Sequence, residues 1–208
     1  MIACALLHAF ARKGWWAVGM KPVAAGATCS DEGLLNDDVV QLRAAGSVQA
    51  ELRLVNPYCF EPAIAPHIAA AQTGVTIEIG HIAQAYARLA AMADTVVVEG
   101  AGGFCVPLNS QEDTADLAQQ LGLPVILVVG VRLGCMSHAL LTAQAIRARG
   151  LRLAGWVANR IDPAMQVAGE NVLALADRLC SPLLGEVKFT LAPDVRQVAA
   201  GLDLSRLA

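Results

Sequence analysis

A few polar residues stand where a parallel sheet would present them to a ligand. Glu99 closes the run Thr95-Val96-Val97-Val98 and is followed by Gly100-Ala101-Gly102-Gly103. In open parallel sheets ligands collect at the carboxyl ends of the strands. A carboxylate there suits Mg²⁺, which takes hard oxygen ligands and keeps several waters. The glycines allow close backbone approach and can turn N–H groups toward an anion. The same segment also fits a solvent-facing or helix-capping glutamate after a tight turn. Lys21 follows an apolar stretch, and its charge suits a phosphoryl group in transfer. Taken alone, it reads as an exposed lysine before Pro22. Asp38, beside Asp37, opens a helix, where it is either a dipole-favoured cap or a second Mg²⁺ ligand. Asn159 ends a strand, and its amide offers a donor and an acceptor to a purine edge; a turn residue is the plainer reading. Gly134-Cys135-Met136-Ser137 opens another helix, whose N-terminus suits a carboxylate or phosphate, or ordinary capping by Ser137. No base is placed beside Cys135, so it is no convincing nucleophile. His67 and His138 lack metal-ligand spacing and read as structural.

These residues need elements to hold them. Periodicity predicts helices over 3–13, 37–45, 77–92, 113–121, 136–149 and 163–179. It predicts strands over 15–19, 95–98, 124–129, 153–158 and 183–187. Several strands are apolar on both faces, the mark of a buried parallel sheet. Residues 26–36 are polar and turn-rich and read as a surface loop. Pro57, Pro62 and Pro66 prevent one regular element over 55–67. The alternation gives a doubly wound α/β fold with a mainly parallel sheet, in a single domain over residues 1–208.

The 208 residues are 56 % apolar and 16 % charged, with a net charge of -3. That excludes disorder and, without a basic run, makes nucleic acid and anionic membranes poor partners. No apolar stretch approaches the ~20 residues of a spanning helix. The start has no basic segment before an apolar one, as a secretory signal would. The six cysteines form no C-x-x-C pair and read as reduced thiols in a cytoplasmic protein.

Six segments together are more specific than any one. They are Lys21-Pro22-Val23-Ala24-Ala25-Gly26, Asn56-Pro57-Tyr58-x-Phe60, Ala65-Pro66-His67-x-Ala69-Ala70, Val98-Glu99-Gly100-Ala101-Gly102-Gly103, Val128-Val129-Gly130-x-x-Leu133-Gly134-Cys135 and Ala154-Gly155-Trp156-Val157-Ala158-Asn159. In this wording and order the chain resembles the dethiobiotin synthetases, from about Ala3 to Val187. The resemblance implies a fold of the P-loop NTPase type and an ATP-dependent ligase joining 7,8-diaminononanoate and CO₂ through a carbamate and a carbamic–phosphoric anhydride. It implies that Lys21 bridges carbamate and γ-phosphate, and that Asp38 and Glu99 hold Mg²⁺. Asn159, Glu99, Gly100 and Gly102 would meet the nucleotide. Ala25, Gly102, Gly103, Gly134, Cys135 and Ser137 would meet the diamine, with the helix start at Gly134 holding its tail carboxylate across a homodimer interface.

Two departures stand out. Ala25 occupies a position where many relatives carry a hydroxyl. The chain also opens in a helix, and it contains no G-x-x-x-x-G-K-(S/T) loop, although the resemblance implies a strand and such a loop before that helix. The reading frame is therefore expected to continue upstream of Met1 by about 15 residues. Three functions stay open: a ligase whose sequence is truncated at its N-terminus, a non-catalytic relative that binds diamine or a partner chain, or another P-loop class of the partition or amidotransferase type.

Overall fold

The structure, a computed structural model, describes residues 1–31 and 33–207. The chain forms two compact units, Met1–Leu121 and Gly122–Ala208.

The first unit opens with α1 (Ile2–Arg12), which buries Cys4, Leu6 and Leu7. Then come β1 (Ala17–Met20), β2 (Val23–Ala25), β3 (Thr28–Ser30), β4 (Gly33–Leu35) and α2 (Asp37–Ala45). Next are α3 (Leu52–Val55), β5 (Tyr58–Phe60), α4 (Pro66–Gln72), α5 (Ile79–Ala90), β6 (Thr95–Val98) and α6 (Thr114–Leu121). Strand β1 pairs parallel with β6, and β2 parallel with β5. All four β1 residues are buried. A side chain at Gly19 would meet Leu7 and Leu42 at 3.1 Å, so its absence lets α1 and α2 close on the strand. Met20, Phe60, Ile77, Ile82, Leu89 and Leu108 form the main core.

The second unit contains β7 (Val125–Val131), α7 (Cys135–Ala148), β8 (Leu153–Arg160), α8 (Ala168–Leu179), β9 (Leu183–Val187), α9 (Val195–Ala200) and a final 3₁₀ turn. Its parallel sheet runs β7-β8-β9. Fully buried Trp156 on β8 anchors a core with Leu175 and Leu179 of α8 and the small face Ala139 and Ala143 of α7.

The α/β character and the parallel pairing agree with the sequence. Several local expectations are corrected. The loop over 26–36 contains an antiparallel pair, β3 with β4. The exposed residues of β3 have no apolar alternation to announce a strand. The first strand starts at Ala17, because Trp15 stacks on Phe10 at a centroid distance of 5.4 Å and both tryptophans stay outside it. The helix expected from 163 begins at Ala168, after Val167 adopts a left-handed conformation with φ 51°. Burial on both faces fails for two strands. All of β6 is only half-buried, and Val128 in β7 is 43 % exposed. Among the described residues each of these strands has one neighbour, which leaves an edge unpaired. Among the described residues no helix is long and apolar enough to cross a membrane.

Candidate functional site

Lys21 lies one residue beyond β1, where the parallel ladder with β6 ends. Its side chain is buried, yet it carries a charge, and that charge is matched. The ammonium donates to Asp38 Oδ2 at 2.9 Å, Glu99 Oε1 at 2.8 Å and the Gly100 carbonyl at 3.3 Å. Burial alone would lower its pKa, but the hydrogen bonds and charges of Glu99 and Asp38 outweigh this and hold it above the ordinary lysine value. The lysine is therefore a protonated cation at neutral pH.

Each partner is delivered by its own element. Glu99 follows β6 directly, and its N–H donates to the Met20 carbonyl at 2.8 Å, extending the ladder by one step. Asp38 sits in the first turn of α2. The cap of that helix is Asn36, whose Oδ1 accepts the Asp38 N–H at 3.0 Å and whose Nδ2 donates to the Ala25 carbonyl at 3.0 Å. With capping done by Asn36, the Asp38 carboxylate is free to turn to Lys21. Ala25 itself ends β2, opposite Phe60.

The glycine loop after Glu99 is anchored at its far end. Gly102 has φ 84°, a conformation open to glycine. The Thr114 hydroxyl is within reach of the Gly103 and Phe104 carbonyls, at 3.2 and 2.7 Å, and accepts the Val106 N–H at 2.9 Å. Cys105 in this loop is exposed.

The first turn of α1 also belongs here. A helix start offers backbone N–H donors and the positive end of its dipole to an anion. Cys4 in that turn is buried. Burial raises its thiol pKa, and the carboxylates of Glu99 and Asp38 add to the rise.

The remaining expected residues lie in the second unit. Asn159 is half-buried inside β8, beside Gly130 of β7 and Val187 of β9. The strand runs two residues further than its apolar run. Gly134, with φ 91°, is the N-cap of α7, so Ser137 does not cap that helix. Cys135 is 3 % exposed and therefore a core residue. A cavity of about 260 Å³ includes Val128, Gly130, Arg132, Cys135 and His138 in its lining.

The structure thus brings Lys21, Asp38, Glu99 and Gly100 together. Among the described residues no group of three or more His, Cys, Asp or Glu could hold a metal. Two carboxylates converging on one cation still fit Mg²⁺, which needs few protein ligands. Asn36, Asn56 and Thr114 were missed as site residues. Only Asn56 left a signal, in the segment Asn56-Pro57-Tyr58, whose role depends on contacts distant in sequence.

Comparison with known proteins gives a consistent picture. Residues 1–193 match a family described as an AAA domain. The chain is 60 % identical to the ATP-dependent dethiobiotin synthetase BioD of Aromatoleum aromaticum over 98 % of its own length and 90 % of the relative's. It is 53 % identical to the proteins of that name from Nitrosospira multiformis, over 99 % and 89 %, and Janthinobacterium sp., over 100 % and 89 %.

Proposed function

The chain belongs to the dethiobiotin synthetase family, and from that premise we propose that Lys21, Asp38 and Glu99 are the chemical centre of an ATP-dependent ring-closing ligase. The observation that carries the reading is one buried ammonium just past the end of β1, held by Glu99 at the end of the parallel strand β6 and by Asp38 in the first turn of α2.

The reaction takes 7,8-diaminononanoate, CO₂ and ATP. One amine captures CO₂ as a carbamate and releases a proton. A carbamate oxygen attacks the γ-phosphorus, and ADP leaves. The second amine then attacks the carbonyl carbon of the mixed anhydride, loses a proton, and expels inorganic phosphate as the five-membered ureido ring closes.

The difficulty is electrostatic, because a carbamate must meet a triphosphate. Lys21 is suited to bridge them. It is protonated, sits in a poorly solvated place where charge is weakly screened, and can act on phosphoryl oxygens in the transition state. Asp38 and Glu99 have the hard oxygen donors to hold Mg²⁺. When bound, Mg²⁺ supplies further neutralisation of the phosphate charge. The start of α1 offers N–H donors to the phosphates. Glu99, Gly100 and Gly102 suit the phosphate end of a nucleotide; Asn159, in the second unit, has the donor and acceptor that an adenine edge needs. Ala25, Gly102 and Gly103 border the diamine and carbamate. Gly134, Cys135 and Ser137, at the start of α7, hold the tail carboxylate across a two-fold homodimer interface. Leu133 and Leu141, 91 % and 61 % exposed, support burial of this segment in a dimer. Consumption of ATP fits a cytoplasmic location.

The decisive experiment is ATP-dependent incorporation of labelled bicarbonate into a diamine-derived product. Incorporation that requires both diamine and ATP supports the reading. Hydrolysis of ATP with no labelled product overturns it.

A further inference from the structure

The segment Asn56-Pro57-Tyr58 plays no part in the chemistry above, yet among the described residues its asparagine is one of two buried polar side chains, the other being Lys21. The Asn56 side chain is 35 residues from Lys21 in sequence and directly against it in space. Its Nδ2 donates to the Lys21 carbonyl at 2.6 Å and to the Tyr58 carbonyl at 2.9 Å. Both amide hydrogens are used, and both go to main chain.

The place of these bonds explains their importance. The β1–β6 ladder ends at Met20, and the β2–β5 ladder starts at Val23. Between them the chain passes through Lys21 and Pro22, which belong to neither ladder. Pro22 has no N–H to offer. The Lys21 N–H donates to the Val55 carbonyl at 2.8 Å. The Lys21 carbonyl points the other way and accepts from Asn56. The Lys21 peptide is thus clamped on both sides by two consecutive residues, 55 and 56. Pro57 favours an extended backbone at Asn56, and the Tyr58 N–H takes the Pro22 carbonyl at 3.1 Å. A lysine stem has four rotatable bonds and much entropy to lose. Fixing its peptide at both ends restricts where the ammonium can go.

We propose that Asn56 is a positioning residue for Lys21: its amide fixes the Lys21 main chain so that the ammonium falls between Asp38 and Glu99. The functional side of this proposal rests on the role assigned to Lys21. The residue type follows from the task. Two donors on a short side chain are needed, and an ionised aspartate has none.

The test has two independent arms. The chain has three lysines, Lys13, Lys21 and Lys188, and only Lys21 is buried. Reductive methylation of the folded protein, read lysine by lysine by mass spectrometry, therefore carries its own controls. Asn56→Leu should speed Lys21 labelling about tenfold while Lys13 and Lys188 stay unchanged. In the second arm, Asn56→Leu should lower turnover about tenfold with the diamine KM within about threefold. The same substitution in a Lys21→Gln background should cost less than about twofold, because it acts through the lysine. Unchanged Lys21 labelling overturns the proposal, and so does an equal turnover loss in both backgrounds. If Asn56→Leu does not fold, Asn56→Ser takes its place, with unchanged labelling again overturning the proposal. Full turnover in Lys21→Gln alone would instead overturn the chemical role of Lys21, a result the labelling arm separates from the positioning itself.

Discussion

At the scale of single residues, one lysine and two carboxylates make a site that neither charge would make alone. Lys21→Gln should lower turnover on the order of a hundredfold with a smaller change in KM, since the charge acts chiefly in the transition state; steady-state kinetics check this. Asp38→Asn and Glu99→Gln should lower turnover in a way that raised Mg²⁺ partly restores, and a Mg²⁺ titration of each variant reads it. The ion pairs also set a pH dependence. Glu99 and Asp38 hold the Lys21 pKa above its ordinary value of 10.5 despite burial. A group whose folded pKa is raised contributes stability that is complete below its unfolded pKa and is lost as pH rises through the folded one. The melting-temperature difference between the parent chain and Lys21→Met should thus stay level from neutral pH to about 10 and shrink only above it. A difference that fades between pH 6 and 9 would contradict this. The strand ends beside Lys21 and Glu99 were legible from apolar runs, but Lys21 taken alone reads as an exposed lysine, and its burial between two carboxylates emerges only from the fold. Asp38 was legible only as one of two readings, until Asn36 proved to be the cap. Asn56 was visible as a motif but not as a function, because hydrogen bonds to a carbonyl leave no pattern along the chain.

At the scale of elements, the glycine loop after Glu99 owes its position to the start of α6. Thr114 ties Gly103, Phe104 and Val106 together. Asp113 Oδ1 accepts the Ala115 and Asp116 N–H groups, while Asp116 Oδ2 accepts the Asp113 N–H. That reciprocal cap fixes the helix start. Thr114→Val keeps the shape and removes the hydroxyl. It should cost roughly 1 kcal/mol of stability and speed amide exchange at Val106, with Thr114→Ser restoring both. Denaturant unfolding and hydrogen exchange check the two effects. The longer helices α1, α5, α6 and α8 were readable from an apolar stripe, whereas the short helices α3, α4 and α9 were too brief to show one. The β3–β4 pair was not, since polar exposed strands look like loop, and the true start of α8 was hidden in a backbone turn at Val167.

At the scale of the whole molecule, the two units each carry parallel strands with helical crossovers. If the segment 131–149 forms a two-fold interface, sedimentation should show a dimer that Leu141→Glu dissociates; an unchanged mass in that variant would remove Leu141 from the interface. Among the described residues β6 and β7 each have one strand neighbour, and this has a different consequence, which concerns handling rather than catalysis. The run Val125-Ile126-Leu127-Val128-Val129-Gly130-Val131 is uncharged, rich in β-branched residues and free of proline, and among the described residues it lies at the edge of its sheet. Such edges are templates for pairing with other chains, and such runs are prone to cross-β stacking. Concentrated, unliganded chain should therefore deposit slowly as thioflavin-binding aggregate, and Val128→Lys, which places a charge on the exposed part of that edge, should delay its onset.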